Sequence, residues 1–362
     1  LRNPGTQESI RVRIREKSPS FFVWIFFLGS WVPQRSSDLR PGSPPPLGVM
    51  RDSMRPPVAL GEAPGKLILF GEHSVAYGQP AVGVRLSRGV RVALRAGSGH
   101  VVAQLSAGIE GHKPVVSPES LVRAALGPDA DGLDTAIEIN LPPSAGLGTS
   151  AALAIALLRA KATLDDVPLS GETLLERAIA VENVAHGRSS GLDPSICLNS
   201  GVVEFARIEG PNGPEIRVRG VAPAASFHLV IGVIGSHGGT GARVAEVAAQ
   251  HRAMPVLIDA VMAVLGEAAQ AGGAALISGD LPRAGAAMNV AHGALTALGL
   301  VSESVEMAAR AARAAGALGA KMTGAGGSGG AFYALASDVS SAMTIQAAME
   351  AMGARAWIET AS

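Results

Sequence analysis

The stretch of this sequence that most restricts its fold is LPPSAGLGTSAALA, residues 141–154. TAIEINLP (135–142) alternates apolar and polar residues and predicts a strand that leads into the stretch. The alanine- and leucine-rich run 149–164 predicts a helix that follows it. The chain therefore passes from strand to helix through a short, glycine-rich turn, which indicates a fold of mixed strands and helices.

The turn carries Gly146 and Gly148, and Thr149 and Ser150 stand in the first predicted turn of the helix. Glycine has no Cβ and tolerates positive φ, so several backbone N–H groups can converge on an anion. A helix that begins directly afterwards adds the positive end of its dipole. The spacing alone is equally typical of a phosphate-binding loop and of a tight turn whose helix is capped by a hydroxyl.

Beyond the N-terminal segment the chain alternates predicted strands and helices, with a boundary near 222–226 between two halves that each contain both. VALGEAPGKLILFGEH (58–73) predicts a strand, a turn at APG and a second strand. Ser170 is the predicted N-cap of a helix that stops at Gly187. GPNG (210–213) predicts the turn of a hairpin.

Composition and motif spacing exclude several classes of protein. Lys plus Arg equals Asp plus Glu at 30 each, so the charge gives no sign of a broad nucleic-acid or membrane-surface footprint. Cys197 is the only cysteine, which rules out an internal disulfide and fits a reducing cytoplasm. GAGGSG (324–329) leads into a predicted strand and is therefore no Rossmann fingerprint. GEAPGKL (61–67) is too short for a Walker A loop.

Residues 1–53 do not match the rest of the chain. FFVWIFFLGSWV (21–32) follows basic residues, as in a signal peptide, but no A-x-A cleavage site follows it and it is too short to span a bilayer. We expect translation to start at Met50 or Met54, and residues 1–53 to be a non-globular extension or upstream read-through. A membrane-attached protein is the alternative, and only 21–32 supports it.

Three motifs together carry a family resemblance. APGKLILFGEHSVAYGQPAV (63–82), LPPSAGLGTSAA (141–152) and KMTGAGGSGGAF (321–332) resemble, in order and spacing, the motifs of the GHMP kinase superfamily. Within the superfamily, the first motif is similar to that of the mevalonate kinases. The resemblance implies an α+β, two-domain fold, with an N-terminal ATP-binding domain over 54–224 of the ribosomal protein S5 domain 2-like type. It implies a ferredoxin-like C-terminal domain over 225–362 and an active site in the cleft.

The second motif would bind the phosphates of ATP through its backbone N–H groups, as the resemblance implies. Its residues are Pro143, Ser144, Ala145, Gly146, Leu147, Gly148, Thr149 and Ser150. Ser150 and Glu182 would be the Mg²⁺ ligands. Thr149 stands where relatives often carry a serine, and the hydroxyl is kept. In the third motif Gly324, Gly326 and Gly327 would let the backbone pack against the phosphate loop.

The resemblance also implies roles near the acceptor hydroxyl. Asp193, in GRSSGLDPSICLNSG, matches the family's catalytic aspartate, and Lys66 matches its lysine. Deprotonation of a primary alcohol by a carboxylate is uphill, so a nearby cation must favour the alkoxide. Glu72, His73 and Thr240 resemble residues near the substrate, with His73 as the candidate donor to an acidic group. For His73 and Thr240 a structural role is the alternative.

The activity that the resemblance implies is transfer of phosphate from ATP, with Mg²⁺, to the C5 hydroxyl of mevalonate. The protein would be a cytoplasmic enzyme with a small-molecule substrate, no nucleic-acid or membrane partner, and a homodimer as one candidate assembly. The alternatives are a GHMP kinase for a sugar or another mevalonate derivative, and a catalytically silent member that binds ligand and regulates a partner. Retention of Lys66, Glu182 and Asp193 disfavours the silent protein.

Overall fold

The computed structural model of the 362-residue chain describes residues 10–13, 58–106, 117–187, 189–210, 213–235 and 239–362. The strands are β1 (Ile10–Arg13), β2 (Ala59–Phe70), β3 (Ala81–Ala96), β4 (Val101–Leu105), β5 (Leu133–Ile139), β6 (Val202–Gly210), β7 (Gly213–Val221), β8 (Phe227–Ile234), β9 (Gly319–Met322), β10 (Gly330–Ala336) and β11 (Arg355–Ala361). The helices are α1 (Pro118–Leu126), α2 (Thr149–Asp165), α3 (Gly171–His186), α4 (Leu192–Leu198), α5 (Thr240–Ala253), α6 (Pro255–Ser278), α7 (Leu281–Ala297), α8 (Glu303–Ala314) and α9 (Val339–Ala351). Short 3-10 turns cover Ser74–Tyr77 and Gly127–Gly132.

The first sheet is seven-stranded and has the order β1-β7-β6-β3-β5-β4, with β2 also paired to β3. Its pairs are antiparallel except β4 with β5, which is parallel. The long strand β3 organises this sheet, because its start pairs with β6, its end pairs with β5, and β2 runs along its length. Helix α2 packs on β2 and β3 and is buried along most of its length.

The second sheet is four-stranded and antiparallel, with the order β11-β8-β10-β9. Numbered in chain order, β8 is the first strand of this sheet, β9 the second, β10 the third and β11 the fourth, so the spatial order is 4-1-3-2. Helices precede the second strand and the fourth. This is the ferredoxin-like arrangement. Residues 222–226 connect it to the end of β7. The expected α+β fold is confirmed, with a ferredoxin-like C-terminal half.

The turn predicted at APG is wrong, because β2 continues through it as one strand. The pairing of β2 with β3 shifts register between Pro64 and Lys66, which is a β-bulge. Because Pro64 has no backbone N–H, a bulge at this position costs the strand pair no hydrogen bond that residue 64 could have donated. A Cβ on Gly65 would lie 2.8 Å from the carbonyl oxygen of Leu147, so glycine lets the strand approach the loop before α2.

The predicted ends of α3 and the predicted hairpin are confirmed. The Ser170 hydroxyl accepts a hydrogen bond from the Thr173 N–H at 3.1 Å and caps α3, and Gly187 is its C-cap with φ 79°. In the hairpin of β6 and β7, Gly210 lies opposite Gly213. These signals depend on local sterics and hydrogen bonds, which explains why a short window of sequence was enough.

The N-terminal segment enters the described structure only at β1. Residues Ile10–Arg13 pair antiparallel with β7 and form the edge of the first sheet. Residues 14–57 lie outside the described residues, and so does the apolar run 21–32. The expectation that 1–53 is a non-globular extension stays a prediction.

Helix α6 is the described helix that is long and apolar enough to cross a membrane. Half of its most apolar stretch is buried inside the fold. It packs on α7 and on β2, β3 and β6, and Gly272 and Gly273 lie directly against Phe70 and Val82. Contact with both the first sheet and the helices of the C-terminal half accounts for its composition.

Candidate active site

The glycine-rich loop before α2 lies directly against β2. The Lys66 N–H donates to the carbonyl of Leu147 at 2.9 Å. The stem of the Lys66 side chain passes over Gly148, where an added Cβ would lie 2.6 Å from Lys66 Cγ. The loop contains no lysine of its own, but the fold packs a lysine from another strand onto it.

The backbone of this loop is turned by residues with positive φ. Ser144 has φ 56°, and Gly146 and Gly148 each have φ 77°. Alternation of such residues with ordinary ones makes concavities lined by N–H groups, which bind anions. The helix α2 begins at Thr149, as predicted, so its positive dipole end faces the same place. Phosphate binding by residues 143–150 fits this geometry and stays a prediction.

Lys66 and Asp193 meet across the site. Nζ of Lys66 lies 2.8 Å from Oδ1 of Asp193. The Lys66 side chain is 3% exposed and that of Asp193 35%, so the carboxylate can be reached from solvent whereas the ammonium is buried behind it. Asp193 stands in the first turn of α4, which starts after Gly191 at φ 81°. The two residues predicted to act on the acceptor hydroxyl are therefore in contact.

Ser150 and Glu182 form a second pair. The Ser150 hydroxyl donates to Oε1 of Glu182 at 2.7 Å, from the first turn of α2 to α3. Burial, together with the negative charge of Asp193, raises the pKa of Glu182 to about 7, although the Ser150 hydrogen bond and the charge of Lys66 oppose the shift. A buried carboxyl with this environment is short of positive charge, which a cation at the site would supply.

The donor set of this pair suits Mg²⁺. Magnesium prefers oxygen ligands and is usually held by one or two carboxylates together with substrate phosphates and water. Among the described residues there is no cluster of three or more His, Cys, Asp and Glu side chains that could hold a metal by themselves. The hydroxyl and carboxylate of Ser150 and Glu182 lie at the N-terminal end of α2, beside the loop predicted to hold phosphates.

The third motif reaches the phosphate loop through one of its glycines. A Cβ on Gly324 would lie 3.7 Å from Cα of Gly146. Gly326 and Gly327 instead lie against Leu300: a Cβ on Gly326 would be 2.3 Å from the Leu300 carbonyl oxygen, and the Gly327 N–H donates to it at 3.0 Å. This differs from the expectation that all three glycines pack on the phosphate loop, because the loop after α7 fills the space beside the later two.

Glu72 is enclosed by the protein. The residue is 2% exposed, and its Oε1 accepts a hydrogen bond from Nζ of Lys321 at 2.5 Å. Direct contact with a substrate, as predicted for Glu72, does not fit a side chain buried in this way. Lys321 opens the third motif but was not among the predicted site residues. A lysine inside an apolar strand is a signal that a buried counter-ion lies nearby.

His73 and Thr240 were the other predicted substrate contacts. His73 has φ 61°, and its Nε2 lies 3.0 Å from the carbonyl oxygen of Ala325 in the third motif. A carbonyl only accepts, so Nε2 carries the proton, and burial lowers the pKa of His73. In the neutral ring Nδ1 is then an acceptor, whereas the prediction made His73 a donor. Thr240 is the first residue of α5, and its side chain lies outside the described residues.

Cys197 is a structural residue in α4. It is 1% exposed, and burial raises the pKa of its thiol. A buried thiol with a raised pKa is a poor nucleophile, so the fold assigns it to the core.

Gly148 provides a test of the contact between the loop and Lys66. We expect Gly148→Ala to lower kcat about 100-fold, because the new Cβ overlaps Lys66 Cγ and shifts both groups, and misplacement by about 1 Å has an effect of this size. Gly353→Ala is the matched control. Gly353 has a similar φ of 83° but no atom within 4 Å of an added Cβ, so it carries the backbone strain without the overlap. Steady-state kinetics of both variants would measure the effect. An equal loss of kcat in the two variants would show that the contact with Lys66 is not its cause.

Comparison with known proteins identifies the family. Residues 115–201 match the family described as "GHMP kinases N terminal domain", and residues 274–355 match "GHMP kinases C terminal". The mevalonate kinase of Pyrococcus abyssi is 33% identical over an alignment of 280 residues, and the match covers 69% of this chain and 80% of the relative.

Solved structures agree with the sequence comparison. The L. major mevalonate kinase in complex with R-mevalonate superposes with a TM-score of 0.73 at 26% identity, covering 84% of this chain and 96% of that one. The mevalonate kinase of methicillin-resistant Staphylococcus aureus gives a TM-score of 0.62 at 27% identity, covering 84% and 99%. With its three motifs, its 4-1-3-2 C-terminal sheet and these relatives, the chain belongs to the mevalonate kinase family of the GHMP kinase superfamily.

Proposed function

We propose that this chain transfers the γ-phosphoryl group of ATP to the C5 hydroxyl of mevalonate and so supplies a precursor of isoprenoids. The contact of Lys66 with Asp193, 2.8 Å apart and beside the glycine-rich loop, carries the proposal. A carboxylate and an ammonium in contact beside this loop support a role on an acceptor hydroxyl that approaches the phosphate donor. The relatives reported above bear the name mevalonate kinase, and one of them was solved with R-mevalonate.

In the reaction, the Asp193 carboxylate accepts the proton of the C5 hydroxyl as its oxygen attacks the γ-phosphorus. The bond from that phosphorus to the bridging oxygen breaks, and ADP leaves with the bond's electron pair. Lys66 favours the oxyanion that develops on the acceptor, because its buried ammonium acts at short range with little water to screen it. The N–H groups of residues 144–150 hold the phosphates in line.

Magnesium belongs to the proposal as the cation held by Ser150 and Glu182. When bound, it neutralises charge on the phosphates. The chain's own contribution is a serine and a carboxylate already in contact at 2.7 Å. The resemblance also supports contact of Thr240 and His73 with the substrate, a cytoplasmic location and a homodimeric assembly, and these too are proposals. For His73 the contact would be made through Nδ1, because Nε2 is bonded to Ala325.

An assay of ATP consumption over four acceptors tests the proposed function: mevalonate, phosphomevalonate, galactose and homoserine. We expect turnover with mevalonate, at least about 100-fold above the others in kcat/KM, because a site built for one acceptor leaves its polar groups unpaired with another. Asp193→Ala is run in parallel to separate enzymatic turnover from contaminating ATPase. Turnover of another acceptor in place of mevalonate would overturn the named substrate, and consumption of ATP without any acceptor dependence would overturn the kinase.

A further inference from the structure

Lys321 and Glu72 form an ion pair that the proposed reaction does not use. Nζ of Lys321 donates to Oε1 of Glu72 at 2.5 Å and to the carbonyl of Met322 at 2.8 Å. Lys321 is 0% exposed and Glu72 2%. The ammonium also lies 5.4 Å from the ring centroid of Tyr333 and 6.0 Å from that of Phe70. A charge pair removed this far from water is costly to bury, and its gain in stability over an apolar pair is small.

The pair joins the two domains of the protein, because β9 belongs to the second sheet and Glu72 follows β2 of the first. Further bonds run parallel to it. The hydroxyl of Thr323 donates to the carbonyl of Ile68 at 2.8 Å. The hydroxyl of Tyr333 donates to the carbonyl of Leu69 at 2.6 Å. The end of β2 is thus bonded residue by residue to the C-terminal domain.

Both ends of this connection lead to the reacting groups. On one side, β2 carries Lys66, whose ammonium contacts Asp193. On the other side, the chain leaves β9 and within a few residues places Gly324 on Gly146 of the phosphate loop. A shift of β9 relative to β2 would therefore move Gly324 of the third motif relative to Lys66 and Asp193.

Helices α7 and α8 also hold β9. His292 accepts from the Met322 N–H through Nδ1 at 3.3 Å, and its Nε2 lies 2.7 Å from Oε2 of Glu306. His292 is 4% exposed. The strand is therefore held from its helix side by the hydrogen bonds of His292, and toward β2 by the ion pair together with the hydrogen bonds of Thr323 and Tyr333.

We propose that Glu72 and Lys321 are positioning residues, whose buried ion pair sets the spacing between the two domains. That spacing in turn sets how Gly324 of the third motif fits against Gly146 of the phosphate loop. The proposal rests on the proposed function and replaces the earlier role of Glu72 as a substrate contact. A salt bridge suits this task because it is directional and satisfied at one spacing only, whereas apolar side chains tolerate sliding.

A double-mutant cycle tests the proposal, with Glu72→Gln, Lys321→Met and the double variant. We expect each single change to lower Tm by about 10 °C, because it leaves one buried charge without a partner. The double variant leaves no buried charge without a partner, so its Tm should recover most of that loss. Its kcat should stay about 100-fold below the wild type, since the ion pair is then lost and only the hydrogen bonds of Thr323 and Tyr333 remain between the domains. The KM for the acceptor should change less than about threefold, because neither residue contacts it.

Two results would overturn the proposal. Recovery of both Tm and kcat in the double variant would mean that the pair serves stability alone. A KM for the acceptor raised more than about tenfold, with kcat retained, would make Glu72 a substrate ligand. Glu72→Asp provides a second variant that keeps both charges and shortens the arm by one methylene. We expect it to fold like the wild type and to lose about tenfold in kcat, and a wild-type kcat would count against positioning.

The surface pair of Lys161 and Asp165 is the matched control, with Nζ to Oδ1 at 2.6 Å on one face of α2. Lys161→Met with Asp165→Asn should leave Tm within about 2 °C and kcat unchanged, because exposed pairs contribute little. The wild type is first assayed with the four acceptors above. If it turns over another acceptor, the proposed substrate fails, and the cycle is run with that acceptor, so the two failures are distinguished.

Discussion

Replacement of Asp193 by asparagine is expected to lower kcat about 1000-fold. Asparagine keeps an oxygen to which Lys66 can donate, so the contact seen at 2.8 Å in the wild type can still form. The amide cannot accept the proton of the acceptor hydroxyl. General-base catalysis contributes roughly 100- to 10,000-fold, and the loss should fall in that range. Steady-state kinetics with saturating ATP and acceptor would measure it, and KM for ATP should change little because the phosphate loop is untouched.

Lys66→Met extends the same test. If Lys66 acts by favouring the oxyanion that Asp193 generates, the two residues work as a unit, and the double variant should be no slower than Asp193→Asn alone. Asp131→Asn is the control, since Asp131 is an exposed aspartate of the same domain with a side chain 72% exposed. A kcat for Asp193→Asn above a tenth of the wild-type value would remove Asp193 from the mechanism.

Replacement of Glu182 by glutamine is expected to act in opposite directions on activity and stability. Activity should fall at least about 100-fold, because the variant loses the carboxylate proposed to hold the cation. The metal-free protein should become more stable at pH 8. The pKa of Glu182 is raised from an ordinary 4.5 to about 7, chiefly by burial.

The sign of the stability change follows from proton linkage. A carboxyl whose pKa is raised on folding keeps its proton in the folded state after the unfolded chain has lost it. The favourable contribution is therefore complete below about pH 4.5 and is lost as pH rises through about 7. Above that pH the buried carboxylate costs about 3 kcal/mol, at ~1.4 kcal/mol per pH unit of pKa difference. Glutamine cannot ionise, so its stabilising effect should grow between pH 5 and pH 8.

Thermal unfolding without nucleotide or metal, at pH 5 and pH 8, would measure this effect. Glu176→Gln is the matched control, because Glu176 is an exposed residue of the same helix, α3. Addition of Mg²⁺ and ATP should raise the Tm of the wild type and leave Glu182→Gln nearly unchanged, since a ligand stabilises only the state that binds it. A wild-type response of the variant to Mg²⁺ would place the cation elsewhere.

Much of the fold was predictable because its signals are local. The start of α2 at Thr149, the Ser170 cap of α3 and the hairpin of β6 and β7 each depend on hydrogen bonds or φ angles within a few residues. The APG segment misled for the same reason. Pro and Gly are typical of turns, but here the neighbouring β3 keeps the chain extended through a bulge, and that partner is distant in sequence.

The site residues were predictable only through resemblance to a family. Spacing left the loop 141–154 open between a capped turn and a phosphate site, and nothing local connects Lys66 with Asp193 or Ser150 with Glu182. The structure brings each pair within hydrogen-bond distance, at 2.8 and 2.7 Å. The glycines of the third motif divide between the phosphate loop and Leu300, which the family pattern did not distinguish.

The sequence by itself determined the hairpin of β6 and β7, where α2 and α3 begin and which residue types are available for phosphoryl transfer, because these depend on near neighbours and on chemistry that side chains carry with them. Only the tertiary structure decided that Lys66 lies against the glycine-rich loop, with its N–H bonded to Leu147, and that Glu72 pairs with Lys321, 249 residues away. Such partners meet because elements distant in the sequence pack together, α2 on β2 in the first case and the second sheet on the end of β2 in the second.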